Sequence, residues 1–123
     1  MTIHRQHFGR SGEDLAVAYL KKRGYRIVER NYRTPLGEID IIARDHRTIT
    51  FIEVKTRSTR AFGDAKTAIT SRKKQHLSRA ALCYLKRTNQ MDRKARFDVL
   101  AIHFDRDQPH LELIQNAFEL AYG

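Results

Sequence analysis

The feature that most constrains this chain is a pair of apolar segments, residues 38–43 and 48–56, separated by the polar residues 44–47. Both segments are rich in β-branched residues, and a short polar tip between such segments predicts a β-hairpin. The hairpin brings Asp40 on its first strand near Glu53 on its second. The sequence leaves open whether Asp40 lies directly opposite Glu53 or diagonal to it, but even diagonal neighbours are only about 7 Å apart.

These carboxylates interrupt otherwise apolar strands, and Lys55 shares a face with Glu53 because alternate strand residues point the same way. Buried carboxylates are costly unless they are paired or bind a metal, and Mg²⁺ or Mn²⁺ would relieve their mutual repulsion. Lys55 could then orient or deprotonate water, or stabilise charge on a scissile phosphate. The alternative is a charge cluster on a solvent-facing side of the hairpin. Apolar residues predicted for the same face favour partial burial: Ile42, Ile49 and Phe51.

The rest of the chain predicts one domain over residues 1–123, of α/β class with a mixed sheet. Ser11 has the chemistry of a helix N-cap, and Gly24 that of a helix end. A strand is expected over 25–32, a turn over 34–37, a long helix over about 66–86, a strand over 96–104 and a last strand over 110–115, with Pro109 between these last two strands.

The charge balance indicates an anionic partner, since 24 Lys and Arg against 14 Asp and Glu leave a net charge of +10. Nucleic acid fits this excess, and solubility alone is the alternative. Basic residues that follow the hairpin could contact phosphates: Arg57, Arg60, Lys66, Arg72, Lys73 and Lys74. A single cysteine excludes an internal disulfide, and neither a membrane span nor a signal peptide is expected. These features predict a cytoplasmic protein.

Several motifs together resemble a known family. Asp40, twelve intervening residues and Glu53-Val54-Lys55 are similar to the signature of the PD-(D/E)XK nuclease superfamily, with a spacing like that of archaeal Holliday junction resolvases. The whole set resembles the YraN-type family of bacterial proteins within that superfamily: Gly12-Glu13, Arg30-Asn31-Tyr32-Arg33, Gly37-Glu38-Ile39-Asp40, Phe51 to Arg57, and Arg96-Phe97-Asp98-Val99. The resemblance implies a restriction-endonuclease-like domain of order α-β-β-β-α-β(-β), with a central mixed sheet flanked by helices.

The same resemblance implies roles for individual residues. Asp40 and Glu53 would bind Mg²⁺ or Mn²⁺, and Lys55 would be the catalytic lysine. Glu13 would complete the metal site, with stabilisation of a helix N-terminus as the alternative. Further candidates are Glu38 and Gln75, which would support the site from its surroundings, and Asp98, which more simply makes a structural hydrogen bond. Ile39 stands where the superfamily's name has proline, a departure shared by resolvase-like members.

Taken together, the motifs predict a Mg²⁺- or Mn²⁺-dependent endonuclease acting on duplex or branched DNA. The alternative is a nucleic-acid-binding module that keeps the nuclease fold without cleaving. The presence of Asp40, Glu53 and Lys55 favours the enzyme, because degenerate nuclease domains commonly lose one of these groups. By analogy with the resolvases, a symmetric branched substrate would favour a homodimer.

Overall fold

The structure, a computed structural model, describes residues 2–57 and 69–119, with side chains for 12–56 and 69–119. The elements, in chain order, are α1 (Thr2–Lys22), β1 (Arg26–Thr34), β2 (Gly37–Asp45), β3 (Thr48–Arg57), α2 (Ser71–Arg87), β4 (Ala95–Asp105) and β5 (Gln108–Phe118). Neither helix has an apolar stretch long enough to cross a membrane within the described residues.

The five strands form one sheet in the order β1-β2-β3-β4-β5. Three neighbouring pairs are antiparallel, whereas β3 and β4 run parallel because α2 lies between them in the chain. The predicted α/β domain with a mixed sheet and its α-β-β-β-α-β-β order are therefore confirmed.

Each helix covers one face of this sheet, and the alternation along β3 divides the core accordingly. Ile52 belongs to the cluster that includes Ala16 and Leu20 of α1, whereas Phe51 belongs to the cluster that includes Leu77 of α2. Successive strand side chains point to opposite faces, so one strand contributes to both clusters. The helices are held by these apolar contacts.

Three predicted boundaries were wrong. Helix α1 begins at Thr2 rather than at Ser11, because a capping sequence permits a helix start but residues 2–10 contain no proline to prevent an earlier one. Helix α2 begins at Ser71 rather than near residue 66: Thr70 caps it by accepting a hydrogen bond from Lys73 N, and Ile69 is buried before the helix starts. Residues 66–68 lie outside the described residues.

The third correction concerns Pro109, which lies inside β5 rather than before it and pairs with Phe104. β5 is an edge strand, where one row of backbone groups has no neighbouring strand. Proline is tolerated at such an edge because its missing N–H costs no ladder hydrogen bond.

The predicted turn between β1 and β2 is confirmed and is fixed at both ends. Thr34 Oγ1 accepts hydrogen bonds from the backbone N–H groups of Leu36 and Gly37, at 3.1 and 3.0 Å. A Cβ at Gly37 would lie only 2.5 Å from the carbonyl oxygen of His76 on α2. The turn therefore packs directly against the backbone of α2, which is possible because residue 37 has no side chain.

A polar network fastens the end of the sheet near Asp45. The fully buried Asp98 accepts hydrogen bonds from Arg96 Nε at 3.0 Å, Asn116 N at 2.9 Å and Tyr25 Oη at 3.2 Å. Arg96 Nη2 also donates to Asp45 at 2.7 Å. The predicted structural role of Asp98 is thus confirmed, and its carboxylate joins β4 to β5 and to the residue that precedes β1.

Replacing Asp98 with Ala should lower the free energy of unfolding by about 3 kcal/mol. The Arg96 guanidinium and the Asn116 N–H would each lose the buried carboxylate that accepts their hydrogen bonds. Chemical denaturation monitored by circular dichroism measures this loss. The matched control, Asp92→Ala in an exposed turn, should change stability by no more than about 0.5 kcal/mol. Equal stability of the two variants would contradict a structural role for the network.

Candidate active site

The ladder between β2 and β3 runs from Asp45–Thr48 to Ile41–Ile52. Asp40 and Glu53 follow this last pair on their two strands, close enough for a hydrogen bond between their carboxyl groups. Beyond the last pair, Asp40 Oδ2 accepts a hydrogen bond from the backbone N–H of Val54 at 2.9 Å. The Asp40 carboxylate thus bonds to the neighbouring strand just beyond the Ile41–Ile52 pair, and it is held close to Glu53.

The expected alternation along β2 does not hold through Asp40. Residues two apart in a regular strand share a face, but Ile39 packs in the α2-side cluster and Ile41 in the α1-side cluster. On β1, the residue between the partners of Ile39 and Ile41 is Asn31, which has a left-handed φ of 52°. Asparagine tolerates this conformation better than most residues, so both strands are irregular where the site forms.

Glu53 is only 6% exposed and belongs to the α2-facing side of β3 with Phe51. The pKa of the Glu53 carboxyl is raised to about 8, mainly by burial and also by hydrogen bonding to Asp40 and the negative charge of Asp40, while Lys73 and Lys55 oppose the shift. Within the described residues, Oε2 of Glu53 has no hydrogen-bond partner. The buried Oε2 of Glu53 is therefore compensated by an ion pair with Lys73 rather than by a hydrogen bond.

Two lysines face this carboxylate from different elements. Lys55 lies on the same side of β3 as Glu53, as predicted, and its positive charge lowers the Glu53 pKa. Lys73 reaches across from α2, with Nζ at 3.4 Å from Glu53 Oε2. The sequence predicted Lys73 only as a phosphate contact. Its place beside Glu53 depends on how α2 packs on the sheet, and no local pattern encodes that packing.

Glu13 faces the same region from the middle of α1. Burial raises the pKa of its carboxyl, the charge of Asp40 raises it further, and Arg30 opposes the shift. The alternative role at a helix N-terminus is wrong, because α1 begins at Thr2 and the dipole effect is confined to the first turn. Among the described side chains, no group of three His, Cys, Asp or Glu residues is arranged so that it could hold a metal ion.

The remaining candidates are more scattered. Glu38 is part-exposed and lies 3.5 Å from Arg33, and Gln75 is half-buried on α2 without a described hydrogen bond to the carboxylates. Arg72 is exposed near the start of α2, and Lys74 Nζ lies 5.7 Å from the centre of the Phe118 ring. The side chain of Arg57, and Arg60 and Lys66 entirely, lie outside the described residues.

The Asp40 and Glu53 carboxylates fit a divalent cation with oxygen ligands. Mg²⁺ is commonly held by one or two carboxylates, with waters and substrate phosphates filling its other positions. The oxygen of Glu53 that lacks a described hydrogen-bond partner has the chemistry such an ion requires. The Asp40 and Glu53 carboxylates are therefore donors of the kind that Mg²⁺ accepts.

The raised pKa of Glu53 predicts a pH-dependent stability in the metal-free protein. The folded state keeps a proton that the unfolded chain releases above its pKa of 4.5, so stability falls as the pH rises from about 4.5 to about 8. Glu53→Gln cannot titrate and should melt several degrees above wild type near pH 8, with a smaller difference near pH 5, in thermal scans with a chelator. Glu112→Gln, at an exposed position of β5, is the control and should follow wild type. A Glu53→Gln advantage that does not grow with pH would contradict the shift.

Comparison with known proteins identifies the family. The sequence model described as "Uncharacterised protein family UPF0102" matches residues 12–102. A UPF0102 protein of Geobacter metallireducens is 50% identical over 99% of this chain and 100% of its own length. One from Desulfosudis oleivorans is 52% identical, over 97% of this chain and 95% of its own. One from Syntrophus aciditrophicus is 47% identical, over 94% and 91%. The predicted YraN-type family is confirmed, and the chain belongs to the UPF0102 family.

Proposed function

We propose that this protein is a metal-dependent endonuclease of the PD-(D/E)XK superfamily that hydrolyses phosphodiester bonds in DNA. The observation that carries the proposal is the buried Glu53 carboxylate, which lies beside Asp40 and has an oxygen without a described hydrogen-bond partner. Burying two negatively charged carboxylates side by side costs free energy of folding unless a positive charge compensates them. Such a pair is useful where a divalent cation must bind.

Asp40, Glu53 and Lys55 would have different roles in the proposed reaction. Asp40 and Glu53 would hold Mg²⁺ or Mn²⁺, which when bound supplies a lowered pKa for water and neutralises charge on the phosphate. Asp40 is oriented by the Val54 N–H, so its free oxygen is directed by the backbone of β3. Lys55 would stabilise the negative charge that develops on the phosphate, or hold the attacking water.

Glu13 would act from outside the ligand set. Its carboxyl senses the charge of Asp40, and burial already favours its protonated form. In that form it can donate a hydrogen bond to a water or to a neighbouring carboxylate. Lys73, at 3.4 Å from Glu53, would offset the carboxylate charge until a cation binds.

DNA is the proposed substrate because the net charge is +10 and the site chemistry suits a phosphodiester. The proposed setting is the cytoplasm. The resolvase-like spacing of Asp40, Glu53 and Lys55 makes branched DNA the first substrate to test, where a homodimer would present two sites to opposed strands. A binding module without cleavage is the competing proposal.

Replacing Asp40 with Asn should reduce cleavage of single-stranded, duplex, flap or four-way DNA by at least about a hundredfold with Mg²⁺ or Mn²⁺. DNA binding should be unchanged or stronger, because the amide removes a negative charge near the phosphate. A gel-based cleavage panel and fluorescence anisotropy measure the two effects. Asp92→Asn is the matched control, since it makes the same chemical change at an exposed turn.

Lys55→Ala should also stop cleavage, yet calorimetry should still detect metal binding because both carboxylates remain. Lys94→Ala, which removes an exposed lysine near the opposite end of β3, should cleave as wild type does. Folded wild-type protein that binds every DNA in the panel and cuts none with either metal would favour the binding module.

A further inference from the structure

A cavity of about 400 Å³ lies between the β1–β2 turn and α2. Its lining includes Arg33 and Leu36 from the turn, Glu38 from β2, and His76 and Arg79 from α2. The volume lies within the range of small-ligand sites. The guanidinium groups of Arg33 and Arg79 and the imidazole of His76 provide hydrogen-bond donors for an anion.

Backbone contacts fix two walls of this cavity, the β1–β2 turn and α2. Thr34 closes the turn through hydrogen bonds to Leu36 and Gly37. Gly37 allows the turn to lie against the backbone of His76, where any Cβ would meet the carbonyl oxygen at 2.5 Å. The turn and α2 are therefore in fixed contact at Gly37, and this contact forms part of the cavity wall.

Two of the elements that line the cavity, β2 and α2, also carry residues of the candidate site. Glu38 is two residues from Asp40 on β2, a strand distance of roughly 7 Å. His76 is three residues, about one helical turn, from Lys73, whose Nζ approaches Glu53. A DNA strand with its scissile phosphate near Asp40 and Glu53 would therefore pass close to this cavity.

The rim of the cavity also has apolar surface. Leu36 is 47% exposed at the tip of the turn, next to Pro35. Exposing a large apolar side chain to water is unfavourable, and packing it against the flat face of an unstacked base removes that surface from water. In continuous duplex DNA that face is covered by the neighbouring base pair, so only an unpaired nucleotide offers it.

We propose that this cavity binds an unpaired nucleotide next to the scissile phosphate, with Arg33 and Arg79 contacting its phosphate and Leu36 contacting its base. The inference rests on the proposed nuclease function and specifies its substrate as DNA with unpaired nucleotides, such as a flap or branch. Arg33 is suited to this contact because its side chain is 76% exposed and lies 3.5 Å from Glu38. Glu38 positions Arg33 in the free protein and repels an incoming phosphate.

The test measures binding without requiring cleavage. Asp40→Asn protein in chelator is titrated with a labelled blunt duplex and with the same duplex carrying an unpaired flap, at several salt concentrations. Adding Arg33→Ala and Arg79→Ala should weaken flap binding about tenfold and reduce the salt slope by up to about 0.9 per lost contact. Arg93→Ala with Lys94→Ala removes two exposed charges from the loop before β4 and should have little effect.

Two further variants separate the contacts from misfolding. Leu36→Ser keeps the charge, so it should leave duplex affinity unchanged and lower the preference for the flap about fivefold. Glu38→Gln should strengthen binding to both probes, a gain that an unfolded protein would not produce. Arg33→Ala alone, at a mainly exposed side chain, repeats the first test if the double variant melts early.

The outcomes also distinguish this inference from the proposed function. Equal losses for the cavity pair and the control pair, or no loss for either, would overturn the cavity as a binding site while wild-type cleavage still supports the nuclease. No preference for the flap in the starting protein would overturn the unpaired nucleotide as its ligand. Absence of both DNA binding and cleavage would instead count against the nuclease itself.

Discussion

The like-charge conflict between Asp40 and Glu53 is the interaction on which the candidate site depends. Asp40 cannot simply turn away, because the Val54 N–H holds one of its oxygens. Glu53 cannot reach bulk water, because it is buried beneath α2. The conflict is eased by a proton, by the Lys73 ammonium or by a metal cation. The fold thus makes a positive charge or a proton favourable beside the Asp40 and Glu53 carboxylates.

Two buried carboxylates at neighbouring positions of the β3–β4 ladder, Asp98 opposite Ile52 and Glu53 opposite Val99, are compensated in different ways. Asp98 is fully buried, and three donors satisfy it, so its charge contributes to structure. Glu53 is almost as buried, yet one oxygen has no described hydrogen-bond partner. Buried carboxylates alone therefore do not mark a functional site. What separates the two is how completely neighbouring donors satisfy the charge.

Sequence patterns were most informative where structure is local. The hairpin around Asp40 and Glu53 follows from alternating apolar residues, and the Thr34–Gly37 turn follows from its residue types. The irregularity at Asp40 was not predictable, because it depends on Asn31 of a neighbouring strand. Lys73 was recognised as basic, but its approach to Glu53 results from tertiary packing. The start of α1 was missed because a favourable capping sequence does not exclude an earlier start.

The order of contacts along the chain has a consequence for biosynthesis. The hydrogen bond from Val54 to Asp40 spans 14 residues, whereas the bond from Tyr25 to Asp98 spans 73. Short loops close at lower entropic cost, and residues of the first half leave the ribosome first. The nascent chain can therefore bring its two carboxylates together before the clasp at Asp98 has been translated. Glu53 becomes buried only when α2, which follows it in the chain, packs over the hairpin.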